Sequence, residues 1–339
     1  MSQIGLFDYE NRLTELSEMG DPLEIIDRVI RWKTFRPIIN KAFRAERKSN
    51  AGRTPYDYVL MFKILILQTW YTLSDEQTQF QILDRMTFKR FLGLAPESPI
   101  PDQKTIWLFR ENLTQSGTIK KLFDLFQRQL NEAGYTAKKG QIIDASFVEV
   151  PRQRNTRDEN ELIKNGETPK EWEKNPSKLC QKDVDARWTK KNEQTFFGYK
   201  NHVTVDVKNK LIREYDTTSA EVHDSQIFKD ILDPMNTNPS IYGDSAYSSE
   251  EHDNLLKKFM YKNRIHKKAG RNTPLSEFQQ KQNTKKSRVR ARVEHVFAQI
   301  EKMSGGQIRC IGRLRAAGKI GLLNLVYNMR RFAYLKCYA

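Results

Sequence analysis

One acidic residue inside an apolar strand constrains this chain more than any other feature. Gln141-Ile142-Ile143-Asp144-Ala145-Ser146-Phe147-Val148 reads as a buried strand rich in branched side chains. Asp is depleted from such interiors because its short polar side chain competes for backbone hydrogen bonds. A second apolar strand, Ser240-Ile241-Tyr242-Gly243, runs straight into Asp244. An isolated buried carboxylate is costly and tends to become neutral. Two carboxylates at the ends of neighbouring strands become sensible when a divalent cation between them offsets their repulsion. Mg²⁺ prefers hard oxygen ligands and takes one or two carboxylates plus phosphate oxygens. A third carboxylate would complete a two-metal site for in-line displacement. Each acid also has a plain reading, a turn or capping role for Asp144 and a helix N-cap for Asp244.

The third acid is Glu294. A long helix is expected over roughly Ser276 to Met303, with Val289, Val293, Val296, Phe297 and Ile300 on one apolar face. Glu294 flanks that stripe, and Arg290, one turn earlier on the same side, could orient it or touch a phosphate. The alternative is an ordinary helix-surface pair.

Around these residues the chain divides. The first 130 or so residues read as helical: Asp21-Pro22 is an N-cap followed by proline, Ser74 and Gln77 form a capping box, and Asp102 caps a helix through Ile106, Trp107 and Phe109. The turn through Gly93, Pro96, Pro99 and Pro101 leaves both a helix-turn-helix and plain helix packing open. Beyond the first strand a charged stretch poor in apolar residues, about 151–195, is expected to be inserted and mobile or lightly folded. Paired strands follow at His202–Val207 and Leu211–Tyr215. Next come a helix near Asp224, the Asp244 strand, a helix from Ser248, a strand at Tyr261–His266, the long helix and a final helix from about Leu314. That order is the one of a ribonuclease-H-like α/β catalytic domain, 136–339, carrying an insertion after its first strand and preceded by an all-helical region, 1–135.

Charge says what such a chain would meet. Lys and Arg number 58 against 42 acids, a net of +16. From Lys257 to Arg292 there are 13 basic residues and one acid, Glu277, a local net of +12. A basic run is commonly a solvated face, but this one leads directly into the glutamate helix and no acidic run balances it. It predicts salt-sensitive, sequence-blind affinity for a polyanion. The longest apolar run, Tyr58 to Trp70, is too short and too polar to span a bilayer. Cys180, Cys310 and Cys337 lack both zinc-ligand spacing and a disulfide pattern, which suits a reducing cytoplasm. No Ser-His-Asp ordering, phosphate-cradling glycine loop or nucleotide fingerprint is present. His223-Asp224 is a weaker candidate, with Asp224 a natural N-cap.

These segments resemble the insertion-sequence transposases of the DDE superfamily in bacteria, most closely the insertion-sequence-five group. QIIDASFVEVP resembles the first-aspartate strand, placing a ligand on Asp144. FFGYKNHVTVD and SAEVHDSQ, with His223, resemble the stretches before the second aspartate. IYGDSAYSS is similar to the second-aspartate motif, with Asp244 as ligand and Tyr247 as its following tyrosine. KSRVRARVEHVFAQIEK resembles the glutamate helix, giving Glu294 and its companion Arg290. The signature has a tyrosine seven residues before the glutamate and a lysine seven after. Here Ser287 and Glu301 stand there, with Lys302 one step on.

The resemblance implies Mg²⁺ as cofactor, with Mn²⁺ as a substitute, and no covalent protein–DNA intermediate. Partners would be double-stranded DNA, as terminal inverted repeats and target, with a homodimer assembled on it. Lys285, Lys286, Arg288, Arg290, Arg292 and Lys302 would contact the DNA, in a cytoplasmic, nucleoid-associated bacterial protein without a membrane. A ribonuclease-H-like nuclease that cuts without joining, and a non-catalytic DNA-binding derivative, are the competing readings.

Overall fold

The computed structural model describes residues 7–43, 54–191, 193–270 and 273–338. They group into two compact units, one made of residues up to Gln129 together with Asn328 onward, the other of Leu130–Tyr327.

The first unit is helical: α1 (Asp8–Glu18), α2 (Pro22–Val29), α3 (Arg36–Ala42), α4 (Tyr58–Trp70), α5 (Asp75–Asp84), α6 (Met86–Leu92), α7 (Gln103–Gln115) and α8 (Thr118–Glu132). Its caps are those expected. Asp21 accepts the Leu23 N–H, Ser74 and Gln77 close a reciprocal capping box, and Asp102 accepts the Thr105 N–H. The apolar run Tyr58–Trp70 is α4, buried on nearly every side, from Val59 to Thr69, as a helix apolar all round must be. Around it Trp32, Phe35, Phe62 and Phe91 form an aromatic cluster, Phe35 and Phe62 with ring centroids 5.0 Å apart. Full burial of each such ring contributes about 1.5–3 kcal/mol. Among the described residues no helix is long and apolar enough to cross a membrane.

The second unit is mixed α/β. In chain order it holds β1 (Gln141–Glu149), α9 (Arg157–Lys164), α10 (Lys170–Glu173), α11 (Pro176–Leu179), β2 (Arg187–Lys191), β3 (Gln194–Asp206) and β4 (Ile212–Ser219). Then follow β5 (Ser240–Tyr242), α12 (Glu250–Lys258), β6 (Lys262–Asn263), α13 (Glu277–Arg290), α14 (Arg292–Ser304) and α15 (Arg313–Tyr338), whose residues from Asn328 onward belong to the first unit. The sheet runs β4-β3-β1-β5-β6, with β2 pairing the start of β3. β3 is antiparallel to its neighbours; β1, β5 and β6 are parallel. Gly140, at φ +93°, opens β1 where a Cβ would lie 2.6 Å from the Ser240 carbonyl oxygen; only glycine fits there.

Three expectations change. The stretch after β1 is folded rather than loose: Thr156 and Glu159 form a capping box, Trp172 is fully buried with its Nε1 donating to Glu159 at 2.7 Å, and β2 joins the sheet. Its anchor is Asp183, 2% exposed, which accepts the Tyr199 hydroxyl and the Gly312 N–H. One buried Trp and one satisfied acid replace the broad apolar face the composition lacks. Second, the helix expected near Asp224 is a single 3-10 turn, Asp224–Ile227, capped by His223. The segment is short and ends against Pro234, which disfavours a helix before it. Third, the long helix is broken at Ala291 into α13 and α14. α13 buries none of its residues, whereas α14 buries Val293, Val296, Ile300 and Met303 and packs on β1.

Candidate active site

The register of three parallel strands builds the site. β1 and β5 pair Gln141 with Ile241 and Ile142 with Tyr242. Two residues further along each strand direction stand Asp144, inside β1, and Asp244, just past the end of β5, so the two acids are level on adjacent strands. On the other side β5 pairs Ile241 with Asn263 of β6. The same count brings His266 level with Asp244, and the His266 N–H donates to the Gly243 carbonyl at 3.1 Å.

Asp144 is 7% exposed. Its Oδ2 accepts from Arg290 Nη1 at 2.7 Å and its Oδ1 from the Ala145 N–H at 3.0 Å. Burial pushes its carboxyl up to about 6; the charge of Asp244 adds to the rise, while Arg290 and the Ala145 N–H oppose it. Asp244 caps the one-turn helix Ser245–Tyr247, accepting the Ala246 N–H at 2.8 Å. Its capping role is therefore present in the fold. Tyr247 is fully buried against Phe228, and its hydroxyl has no hydrogen-bond partner among the described residues. Burial, then the negative charges of Asp224, Asp144 and Asp244, hold that hydroxyl well above the ordinary tyrosine range.

Glu294 lies in the first turn of α14 with its side chain 68% exposed, 3.9 Å from Arg290 Nη2. Arg290 thus stands between Asp144 and Glu294. Among the described residues no three His, Cys, Asp or Glu side chains are close enough together to hold a metal ion. The donors do fit one in kind: a buried carboxylate made costly by its own desolvation and by a second acid beside it is what a hard divalent cation would relieve.

The six basic residues separate. Lys285, Arg288 and Lys302 are exposed. Lys286 Nζ donates to the Ile265 carbonyl at 2.7 Å, and Arg292 to the Val207 carbonyl at 2.6 Å, so both brace the fold. Arg290 is committed to Asp144. His223 is exposed and bonds Ser225 Oγ at 2.7 Å.

Two neighbours were not singled out in the sequence. His266 bonds Ser287 Oγ at 3.2 Å; burial, Arg290 and Lys286 lower its pKa, and Asp244 raises it. Counting strand register from Asp244 would have found it. Lys200 of β3 donates to Asp224 at 2.8 Å and to the Val222 carbonyl at 2.7 Å. Asp224 is therefore half of a half-buried ion pair, and no local pattern signals the other half.

A family model described as Transposase DDE domain matches residues 135–329. The chain belongs to this transposase family. A second model, Transposase domain (DUF772), matches residues 11–112. Among solved structures the chain is similar to the piggyBac transposase of a synaptic complex with hairpin DNA, at 14% identity and a TM-score of 0.42, covering 92% of this chain and 73% of that one. The matched DDE range contains Asp144, Asp244 and Glu294, and with them the whole six-stranded sheet.

Proposed function

We propose that this DNA transposase, of the insertion-sequence-five group, cuts the terminal inverted repeats of its element and joins the freed 3′-hydroxyl ends to target DNA. The reading treats the sheet unit as a ribonuclease-H-like domain with β2 and α9–α11 inserted after its first strand, and the strand order β4-β3-β1-β5-β6 supports it. The observation that carries most weight is the level register of Asp144 and Asp244 on neighbouring parallel strands within a chain of the transposase DDE family.

Asp144, Asp244 and Glu294 would hold divalent ions, Mg²⁺ or in its place Mn²⁺. Such ions activate an attacking hydroxyl and stabilise a leaving oxygen in phosphodiester displacement. Glu294, with its side chain exposed, would turn toward Asp144 and Asp244. Lys285, Arg288 and Lys302 would neutralise backbone phosphates near the cut, while Lys286 and Arg292 hold the strand ends and loops in place. Tyr247 fills the floor beneath the Asp244 turn, and His223 caps the turn that begins at Asp224. Water attacks the phosphodiester and releases a 3′-hydroxyl and a 5′-phosphate. That hydroxyl then attacks a target phosphodiester, conserving the number of phosphodiester bonds in the second step. Two ends handled together imply a homodimer on DNA, and the substrate implies a cytoplasmic, nucleoid-associated place of work.

The test is strand cleavage and joining on a duplex ending in the element's own inverted repeat, wild type against Asp244→Asn, with Mg²⁺ and with EDTA. Metal-dependent cleavage and joining, lost in the variant while DNA binding persists, is the expected result. Cleavage without joining identifies a nuclease, and binding without cleavage a non-catalytic derivative.

A further inference from the structure

We propose that Arg290 is a resident counter-ion on Asp144 that a divalent cation must displace to bind there. The inference rests on the reading of Asp144 as a metal ligand and adds what stands in the way. Arg290 Nη1 lies 2.7 Å from Asp144 Oδ2, an oxygen that a cation held by Asp144 would compete for. Its remaining donors are poorly served: Nη2 is 3.9 Å from Glu294, and Nε is buried with no partner among the described residues. It is held mainly by the one bond that a metal would contest.

The surroundings favour exchange. The charged and titratable groups that interact with the guanidinium are Asp144 from β1, Tyr247 beyond β5, His266 beyond β6 and Glu294 from α14, with Asp244 and Lys286 acting on the same neighbours. Two positive charges cannot share Asp144 Oδ2 without strong repulsion in a half-buried site. Arg290 is also the last residue of α13, at a break that no side chain caps on the α14 side. Its backbone sits at a joint rather than within a continuous helix, and 25% of its side chain already meets solvent.

Calorimetric titration with Mn²⁺ at pH 8 tests this, where the Asp144 carboxyl is ionised and proton competition is small. Wild type, Arg290→Gln, Arg290→Lys and Asp144→Asn are compared. Removing a charge-assisted bond of this kind is expected to tighten Mn²⁺ binding by on the order of tenfold in Arg290→Gln, with Arg290→Lys between it and the wild type. Thermal melts check folding, and Mn²⁺ should raise the melting temperature more in Arg290→Gln than in the wild type. Equal or weaker binding by a folded Arg290→Gln overturns the proposal, because Arg290 then positions the ligand instead of competing with the metal. Should that variant not fold, the unsubstituted protein decides: the Arg290 guanidinium NMR signal must move as Mg²⁺ saturates, and a stationary signal overturns the proposal. Mn²⁺ binding that survives in Asp144→Asn removes the metal-ligand reading itself, a failure distinct from that of the counter-ion.

Discussion

Replacing Asp144 with Asn should make the metal-free protein more stable while destroying its activity. The carboxyl's pKa rises from 3.8 to about 6, a shift of roughly 2 units. At 1.36 kcal/mol per unit, the ionised acid is disfavoured in the fold by about 3 kcal/mol. The attraction of Arg290 is already inside that net shift, so an amide, which mimics the neutral acid, recovers up to this amount. For a unit of about 200 residues that corresponds to a rise in melting temperature of roughly 5–10 °C. The pH dependence fixes the cause. Because the folded pKa lies above the unfolded one, the wild type's relative stability is full below pH 4 and is lost as pH climbs through 6. Asn has no such dependence, so the gap between the two proteins opens between pH 4 and 6 and stays flat above. Scanning calorimetry in EDTA at pH 4, 5, 7 and 8 reads it directly, and added Mg²⁺ should narrow the gap by stabilising only the wild type. An Asp144→Asn protein no more stable than wild type at pH 8, or a gap that ignores pH, would refute the reasoning. The Arg290 ion pair would then outweigh desolvation.

Three other outcomes follow from the same geometry. Trp172→Ala empties the small core of the inserted segment and should cost about 3–5 kcal/mol locally, seen as fast tryptic cleavage between Arg157 and Lys182 while the β1–β5 sheet stays protected from hydrogen exchange. Lys285→Ala and Arg288→Ala should each lower the slope of log affinity against log salt for duplex DNA by about 0.9 without changing the melting temperature, whereas Arg292→Ala, which loses its bond to the Val207 carbonyl, should lower the melting temperature. Burial pushes His202 down to about 4, below its unfolded value, so its stabilising neutral form is fully present above pH 6.5 and lost as pH falls toward 4; denaturant midpoints at pH 7 and 5 should differ less in His202→Gln than in the wild type.

What could be read from the sequence was local, and what could not depended on partners far along the chain. Asp21, Ser74 and Asp102 were recognisable as caps because each bonds a backbone N–H two or three residues away. The strands bearing Asp144 and Asp244 were recognisable because each acid follows a short run of apolar, branched or aromatic residues, Ile142-Ile143 and Ile241-Tyr242. The level register of those two acids needs a parallel pairing across a hundred residues, and the position of His266 needs a second pairing through a strand of two residues. Asp224 looked like an N-cap because only its local role was visible; Lys200, its ion-pair partner, lies on a different strand. The break at Ala291 has no proline or glycine to announce it.

Glu294 is the instructive case. Its local signal allowed two readings, a surface pair with Arg290 and a third metal ligand, and the structure displays the first, exposed and 3.9 Å from that arginine. Three gathered carboxylates without a counter-charge would repel one another. Arg290 supplies positive charge at that place, pairing closely with Asp144 and loosely with Glu294. The side chain that gives the site the look of an ordinary ion pair therefore also lets the two acids approach one another.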